Sequence, residues 1–288
     1  MVSTLFTKLR DIKMTDNPEI ANSIITNSYN TNYHDVGSGH AVVMMHGSGA
    51  GVSGWANWRG IMPILSQEFR VIVPDLVGFG YTETPPDFEF VFMNSWVDQM
   101  IALLDGLGIE KAHLVGNSFG GSLAMWMAAT YPDRFDRLVL MGPGGWPDKV
   151  NNNLAKLWDY TPSIENMKEI MDIMAFDRSI VTDELAELRY KVTMREGTQE
   201  IFERVFPKPH QRWLDSQVLS IAQLQNITQE TLIIHGRDDR VVAPEVSINL
   251  HQHIQNSQLH MFGNCGHWTQ IEHGARFQQL VENFLLEK

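Results

Sequence analysis

The chain has 288 residues, with 22 Lys plus Arg against 34 Asp plus Glu, giving a net charge of −12 and a pI near 5.3. An acidic chain repels phosphate backbones and anionic lipid, and its basic residues are scattered, which argues against nucleic-acid and membrane partners. A lone cysteine, Cys265, excludes an intrachain disulfide and a thiolate metal cluster and fits a reducing, cytoplasmic setting.

Residues 1–20 carry Lys8, Arg10 and Lys13 with no continuous apolar stretch behind them, so a secretory signal is not expected. No apolar run approaches the length of a membrane span. The first dozen residues are expected to be poorly ordered, and Met14 is a second candidate start. Beyond them, short β-rich runs alternate with longer helical ones, the pattern of a mostly parallel sheet with helices on its faces. Residues 40–45 (HAVVMM) read as a buried strand running into a glycine-rich segment, 46–51, and 69–73 (FRVIV) as a second strand stopped by Pro74. Helical spacing over 95–107 is followed by a third strand at 111–115 (KAHLV), a helix over 118–130 halted by Pro132, and a fourth strand at 135–141. Between 146 and 226 the rhythm breaks into amphipathic helices, 164–175, 183–193 and 198–205. Strands resume at 231–235 and 258–262, with helices from about Glu245 and about Ala275. An insertion of this size between two strands predicts a helical lid, 146–226, over a core formed by 1–145 and 227–288.

Gly116-Asn117-Ser118-Phe119-Gly120 is a G-x-S-x-G that follows a strand and opens a helix, as a nucleophile elbow must. The turn is sharp, so any larger side chain at Gly116 or Gly120 should collide with its neighbours, and the serine backbone should be strained. Without chemistry, Ser118 would be an N-cap flanked by turning glycines. A serine hydroxyl needs a base within hydrogen-bond reach. His267, on a glycine-bearing loop after the last strand, fits that task. His251 and His253 point to different faces of a helix, while His113 and His235 lie in strands and read as structural. The acid comes from Gly236-Arg237-Asp238-Asp239-Arg240, where G-x-x-D spacing selects Asp239 and leaves Asp238 facing outward towards Arg240. The segment 46–51 can present a backbone N–H of Ser48 or Gly49 to an oxyanion, with Phe119 N–H as the second donor. It lacks the G-K-[ST] ending of a phosphate loop. Cys265 has no elbow around it and reads as an inert packed thiol. Met167, Met171 and Met174 have core spacing, with a pocket-lining methionine face as the alternative.

With these motifs assembled, the chain resembles the meta-cleavage product hydrolases, carbon–carbon bond hydrolases of aromatic catabolism with the α/β-hydrolase fold. NYHDVGSG, HGSGAG, GWANWR, VIVPDLVGFG, LVGNSFGG, RLVLMGPGG, YTPSIENM, GRDDRVV and CGHWTQIEH carry the likeness from about Asn32 to the C-terminus. The most similar branch acts on ring-fission products of monocyclic catechols, such as 2-hydroxymuconic semialdehyde or its 6-alkyl homologues. The resemblance implies a small anionic dienoate substrate with a C6 ketone or aldehyde, hydrolysed to 2-hydroxypenta-2,4-dienoate and a carboxylic acid. It nominates Asn57, Asn117, Arg189 and Trp268 as substrate-site residues, and it implies no metal, no organic cofactor and a homodimer or larger assembly. Elementary chemistry points the same way. Carbon–carbon hydrolysis expels a carbanion, whose charge must spread along the diene onto an oxygen held by a cation, and Arg189 can supply that cation. On its own, Arg189 would read as a solvated helix residue paired with Glu, and Asn117 as a turn residue. Ala50 stands where many relatives have proline. Gly144 and Gly145 suggest space for a tail larger than methyl, even aryl. A carboxylesterase or lactonase would use the same triad, and a ligand-binding receptor the same fold. Ser118 in the elbow disfavours a haloalkane dehalogenase, which needs aspartate there.

Overall fold

The computed structural model describes residues 17–287, and the expectation of disorder in the first dozen residues lies outside them. A hairpin not foreseen in the sequence opens the chain: β1 (Asn22–Thr26) and β2 (Tyr29–Gly37) pair antiparallel. Then come β3 (Ala41–Met45), α1 (Gly54–Trp58), α2 (Met62–Leu65), β4 (Arg70–Pro74), α3 (Phe92–Gly106), β5 (Ala112–Asn117), α4 (Phe119–Thr130) and β6 (Phe135–Met141). Six helices follow before the next strand: α5 (Asn152–Trp158), α6 (Ile164–Met174), α7 (Asp183–Thr193), α8 (Thr198–Val205), α9 (Gln211–Ser216) and α10 (Ile221–Gln225). The chain closes with β7 (Glu230–Gly236), α11 (Pro244–His253), β8 (Ser257–Phe262), α12 (Thr269–Glu272) and α13 (Gly274–Leu286). Among the described residues no helix is long and apolar enough to cross a membrane.

The eight strands form one sheet in the order β1-β2-β4-β3-β5-β6-β7-β8. Pairing is parallel from β4 to β8, and β2 runs antiparallel to β4. Strands buried on both faces need apolar residues at every position, which is why Ala41–Met45 is one unbroken hydrophobic run. Its side chains divide by the two-residue period of a strand. Val43 and Met45 join a core with α3, α4 and α11, whereas Val42 and Met44 face Trp58, Leu65, Phe277 and Phe284 on the other side.

The inserted helices carry their own start signals. Asn151, Ser163, Thr182 and Ser220 each cap a helix with a side-chain oxygen, and Ser220 with Gln223 forms a capping box. They share one apolar cluster with the sheet. Phe119 of α4 lies 5.0 Å from Trp96 and 5.3 Å from Trp213, and Phe206 lies 5.3 Å from Trp213 and 5.4 Å from Trp158.

Candidate active site

The parallel strands turn over at one edge of the sheet, where an open α/β sheet places ligands outside the carboxyl ends of its strands. The β5–α4 corner is the tightest of these turns. Ser118 sits there with φ 55° and ψ −115°, a left-handed conformation that a non-glycine residue adopts only when the surroundings force it. Ser118 N donates to Met141 O at 2.8 Å, fixing the corner to β6. A Cβ at Gly116 would lie 2.2 Å from Gly120 O, and one at Gly120 would lie 2.4 Å from Met45 O. Both glycines are therefore demanded by close packing.

His267 donates through Nδ1 to Asp239 Oδ2 at 2.6 Å, which leaves Nε2 as the nitrogen free to take a proton. Both side chains are buried, the carboxylate completely. Asp239 Oδ1 accepts from Val241 N at 2.7 Å and Val242 N at 3.1 Å, so the turn after β7 clamps the carboxylate. Burial drives the Asp239 carboxyl up, but the charge of His267 and hydrogen bonds from His235 and His267 outweigh it, and the net shift is downward. The backbone of His267 is held by the inserted helices, donating to Met174 O at 2.7 Å. Glu272 reinforces this seam: Oε2 accepts from Phe176 N at 2.7 Å and Asp177 N at 2.9 Å, and Oε1 from Gly266 N at 2.8 Å.

The segment after β3 packs against the elbow. His46 Nδ1–H donates to Gly47 O at 2.6 Å while Nε2 accepts from Leu76 N at 3.0 Å, so this buried imidazole, pushed down to about 4 by desolvation, is a neutral brace. The backbone N–H groups of Ser48 and Gly49 make no hydrogen bond within the described residues, as free oxyanion donors require. Phe119 N is at the first position of α4, where helix geometry provides no acceptor.

A single cavity is lined by Ser48, Gly49, Asn57, Asn117, Ser118, Arg189, His267 and Trp268. Every expected site residue is thus on its wall except Asp239, which stands behind His267, and Phe119, whose ring turns into the aromatic core. Asn57 comes from α1, whose start is fixed by buried Asp75: its carboxylate accepts from Gly54 N at 2.6 Å, Tyr81 N at 2.7 Å and Asn32 Nδ2 at 2.8 Å. Among the described residues Asn57 Nδ2 has no hydrogen-bond partner, whereas Asn117 Nδ2 donates to Met141 O at 3.3 Å. Arg189 is no solvated helix residue. Its guanidinium lies 5.3 Å over the Trp268 ring, Nε has no hydrogen-bond partner among the described residues, and burial pushes its pKa down to about 10. It is still a cation at neutral pH, and one that has lost much of its hydration. Leu154, Leu157, Trp158, Met174 and Val241 complete the wall, and the free volume left is about 20 Å³, on the scale of one water.

Two expectations need correction. Gly144 and Gly145 open no pocket, because a Cβ at Gly144 would meet Ser122 Oγ at 2.8 Å and one at Gly145 would meet Met125 Cε at 2.6 Å. Asp238 pairs with Arg237 at 3.3 Å, not with Arg240, which reaches across to the carbonyls of Asp172 and Ala175. His235, expected to be structural, is indeed buried within β7 and bonded to Ser247 and Val242. Its Nε2 lies 3.1 Å from Asp239 Oδ2. The signal was present as a histidine four residues before the acid.

Elsewhere, His40, His113 and Asp136 gather at the opposite ends of the strands with potential ligand atoms within 4.8 Å of one another. That carboxylate is already engaged, by Lys111 at 2.7 Å and His40 at 3.0 Å. Cys265 is fully buried, and burial pushes its thiol up to about 12. The native protein should therefore resist iodoacetamide at mildly alkaline pH, with mass spectrometry showing no adduct and activity intact. Rapid alkylation with loss of activity would contradict an inert thiol.

Holding a serine in a strained conformation costs stability, and chemistry is what explains its convergence with a buried carboxylate–imidazole pair. The class they define is the serine-type hydrolase with the α/β-hydrolase fold. Residues 40–274 match the family described as alpha/beta hydrolase fold. The chain is 50% identical over 269 residues to the 2-hydroxy-6-oxo-2,4-heptadienoate hydrolase of Pseudomonas putida F1, covering 93% of this chain and 97% of that one. It is 48% identical over 272 residues to the 2-hydroxymuconate semialdehyde hydrolase of Pseudomonas sp. CF600, covering 94% and 96%. Among solved structures, a serine-to-alanine variant of the meta-cleavage product hydrolase from Pseudomonas fluorescens IP01, complexed with acetates, superposes with a TM-score of 0.92 at 52% identity, covering 93% of this chain and 98% of that one. The chain belongs to the meta-cleavage product hydrolases.

Proposed function

We propose that the protein cleaves the carbon–carbon bond of a 2-hydroxy-6-oxo-2,4-dienoate, the meta-ring-fission product of a monocyclic catechol, giving 2-hydroxypenta-2,4-dienoate and a carboxylic acid. The observation that carries this reading is the shared cavity wall: Ser118 and His267 face the same small space as a desolvated cation, Arg189, and the amides of Asn57 and Asn117. An esterase needs the first pair but has no use for the cation.

In this reading Asn57 and Asn117 hold the carboxylate end and Arg189 the C2 oxygen. Ketonisation moves the enol proton to C5, favoured by Arg189. Ser118 then gives its proton to His267 and attacks C6, and Asp239 holds the imidazole tautomer while stabilising the imidazolium. The oxyanion is bound by Phe119 N–H and by Ser48 or Gly49 N–H. When the C5–C6 bond breaks, its electron pair runs through the C3=C4 double bond to the C2 oxygen beside Arg189, and the proton that His267 took from Ser118 passes to the dienoate, leaving His267 neutral. Water, activated by His267, clears the acyl group from Ser118. Each step uses groups of the chain, substrate and water.

Arg189→Met tests the cation. Turnover of the dienoate is expected to fall by about 10²–10³-fold, the usual loss when a transition-state charge partner is removed. Hydrolysis of a simple nitrophenyl ester should change only a few-fold. Equal losses on both substrates, or none on the dienoate, would overturn the role. Fast ester turnover by the parent without bleaching of the yellow dienoate would make it an esterase instead.

The walls also speak to the tail. Leu154, Leu157, Trp158 and Val241 crowd the cavity, and the glycines after β6 do not enlarge it. Across 6-hydrogen, methyl, isopropyl and phenyl dienoates, kcat/KM should favour the two smallest tails, with phenyl at least about tenfold lower. A flat or inverted series would count against this. The same reading makes residues 146–226 a lid that must shift to admit a dienoate, and it carries with it a cytoplasmic setting and assembly as a homodimer or larger.

A further inference from the structure

We infer that His235 is a positioning residue for Asp239, forming with Ser247 a buried extension of the proton-handling chain on the side of the carboxylate away from the cavity. The inference rests on the triad assignment above.

Its basis is an account of donors and acceptors. His235 Nε2 lies 3.1 Å from Asp239 Oδ2 and 3.1 Å from Val242 O, both of which only accept. Nε2 therefore carries the proton, hydrogen-bonded to Val242 O with the Asp239 carboxylate in ion-pair contact beside it. His235 Nδ1 lies 2.6 Å from Ser247 Oγ, and in a neutral ring it must accept from that hydroxyl. The tautomer is thus dictated by the acceptors around Nε2, and Ser247, a residue of α11 with no exposed surface, satisfies it by donating to Nδ1. His235 and the carboxylate are likewise completely buried.

The arrangement leaves Asp239 no freedom. Oδ1 is fixed by two backbone donors from the turn after β7, and Oδ2 stands between two imidazoles. A carboxylate holding one imidazole alone can swing about its Cα–Cβ bond and take the catalytic ring with it. A second imidazole packed at 3.1 Å against the same oxygen blocks that swing. The position follows from the chain: His235 is the next-to-last residue of β7, Gly236 ends it, and Asp239 N returns to Gly236 O at 3.1 Å. The histidine four residues before the acid is brought beneath it by the same turn that presents the acid.

The test compares kcat and KM for a ring-fission dienoate in the parent, His235→Leu, His235→Gln and Ser247→Ala, with Asp239→Asn as reference. His235→Leu should lower kcat by about 10- to 100-fold, as for other partners that orient a functional side chain, and leave KM within a few-fold. His235→Gln retains an N–H to give and should recover most of the loss. Ser247→Ala, which leaves the buried Nδ1 without a donor, should show a smaller loss of the same kind. Parental kcat in His235→Leu, or a glutamine variant no better than leucine, would overturn the inference. Should the leucine variant not fold, Ser247→Ala and His235→Gln decide it, and parental kcat in Ser247→Ala overturns it. If Asp239→Asn keeps parental kcat, the triad assignment itself fails, a separate and recognisable outcome.

Discussion

Ser118→Ala lowers kcat on the dienoate by about 10⁴-fold or more, the loss expected when the nucleophile of a cooperating set is removed. The thiol of Cys265 cannot take its place, because it is off the cavity wall, buried in the apolar cluster on the other face of the sheet. Alanine has the same backbone restrictions as serine, so the strain at φ 55° is retained and the fold should be little changed. Binding should survive, because Arg189, Asn57 and Asn117 are untouched. A single-turnover experiment would then show the yellow dienoate bound and spectrally perturbed but not cleaved. A variant within about tenfold of the parent would mean that another group attacks C6, and the reading of the elbow would fall.

Asp239→Asn should cost about 10⁴-fold in kcat, because an amide selects the wrong imidazole tautomer. The structure adds a reason. Two imidazole N–H groups converge on Oδ2, and an NH₂ group there would oppose both. Stability should fall too, in a pH-dependent way whose sign is fixed by the downward shift of Asp239. A depressed acid stabilises the fold above its unfolded value of about 3.9 and loses that contribution as pH falls towards the folded value. The gap in Tm between parent and variant should therefore be widest above about pH 4 and close below it. A gap that widens on acidification would show that Asp239 is not held as a stabilised carboxylate.

The parts of the site that were legible in the sequence are those where geometry leaves few residue types. Gly116 and Gly120 touch backbone, so only glycine fits, and the strand before them fixes their meaning. The segment 46–51 and the loop bearing His267 were legible for the same reason. The hairpin β1–β2 was not, because TNYHDV carries few aliphatic residues and its burial is won from neighbours such as β4 and Thr82. Short helices such as α1 and α2 are too brief to show a period. Arg189 needed a family resemblance, since nothing local distinguishes an arginine under a tryptophan from one in solvent. Gly144 and Gly145 misled because an absent side chain does not create room when Met125, Ser122 and Gln217 arrive from elsewhere to fill it.

The seam between the inserted helices and the catalytic loops bears on how such enzymes can be rebuilt. Met174 O, the amides of Phe176 and Asp177, and the carbonyls of Asp172 and Ala175 are all bonded to the stretch from Arg240 to Glu272. Asn151 and Asn153 add bonds to the carbonyls of Val241 and Arg240. Transplanting another homologue's roof to change selectivity would therefore also replace the scaffolding of the histidine and its acid. Chimaeras that keep 151–153 and 172–177 with the recipient, exchanging only the stretches between and beyond them, would alter the chamber and spare the machinery beneath.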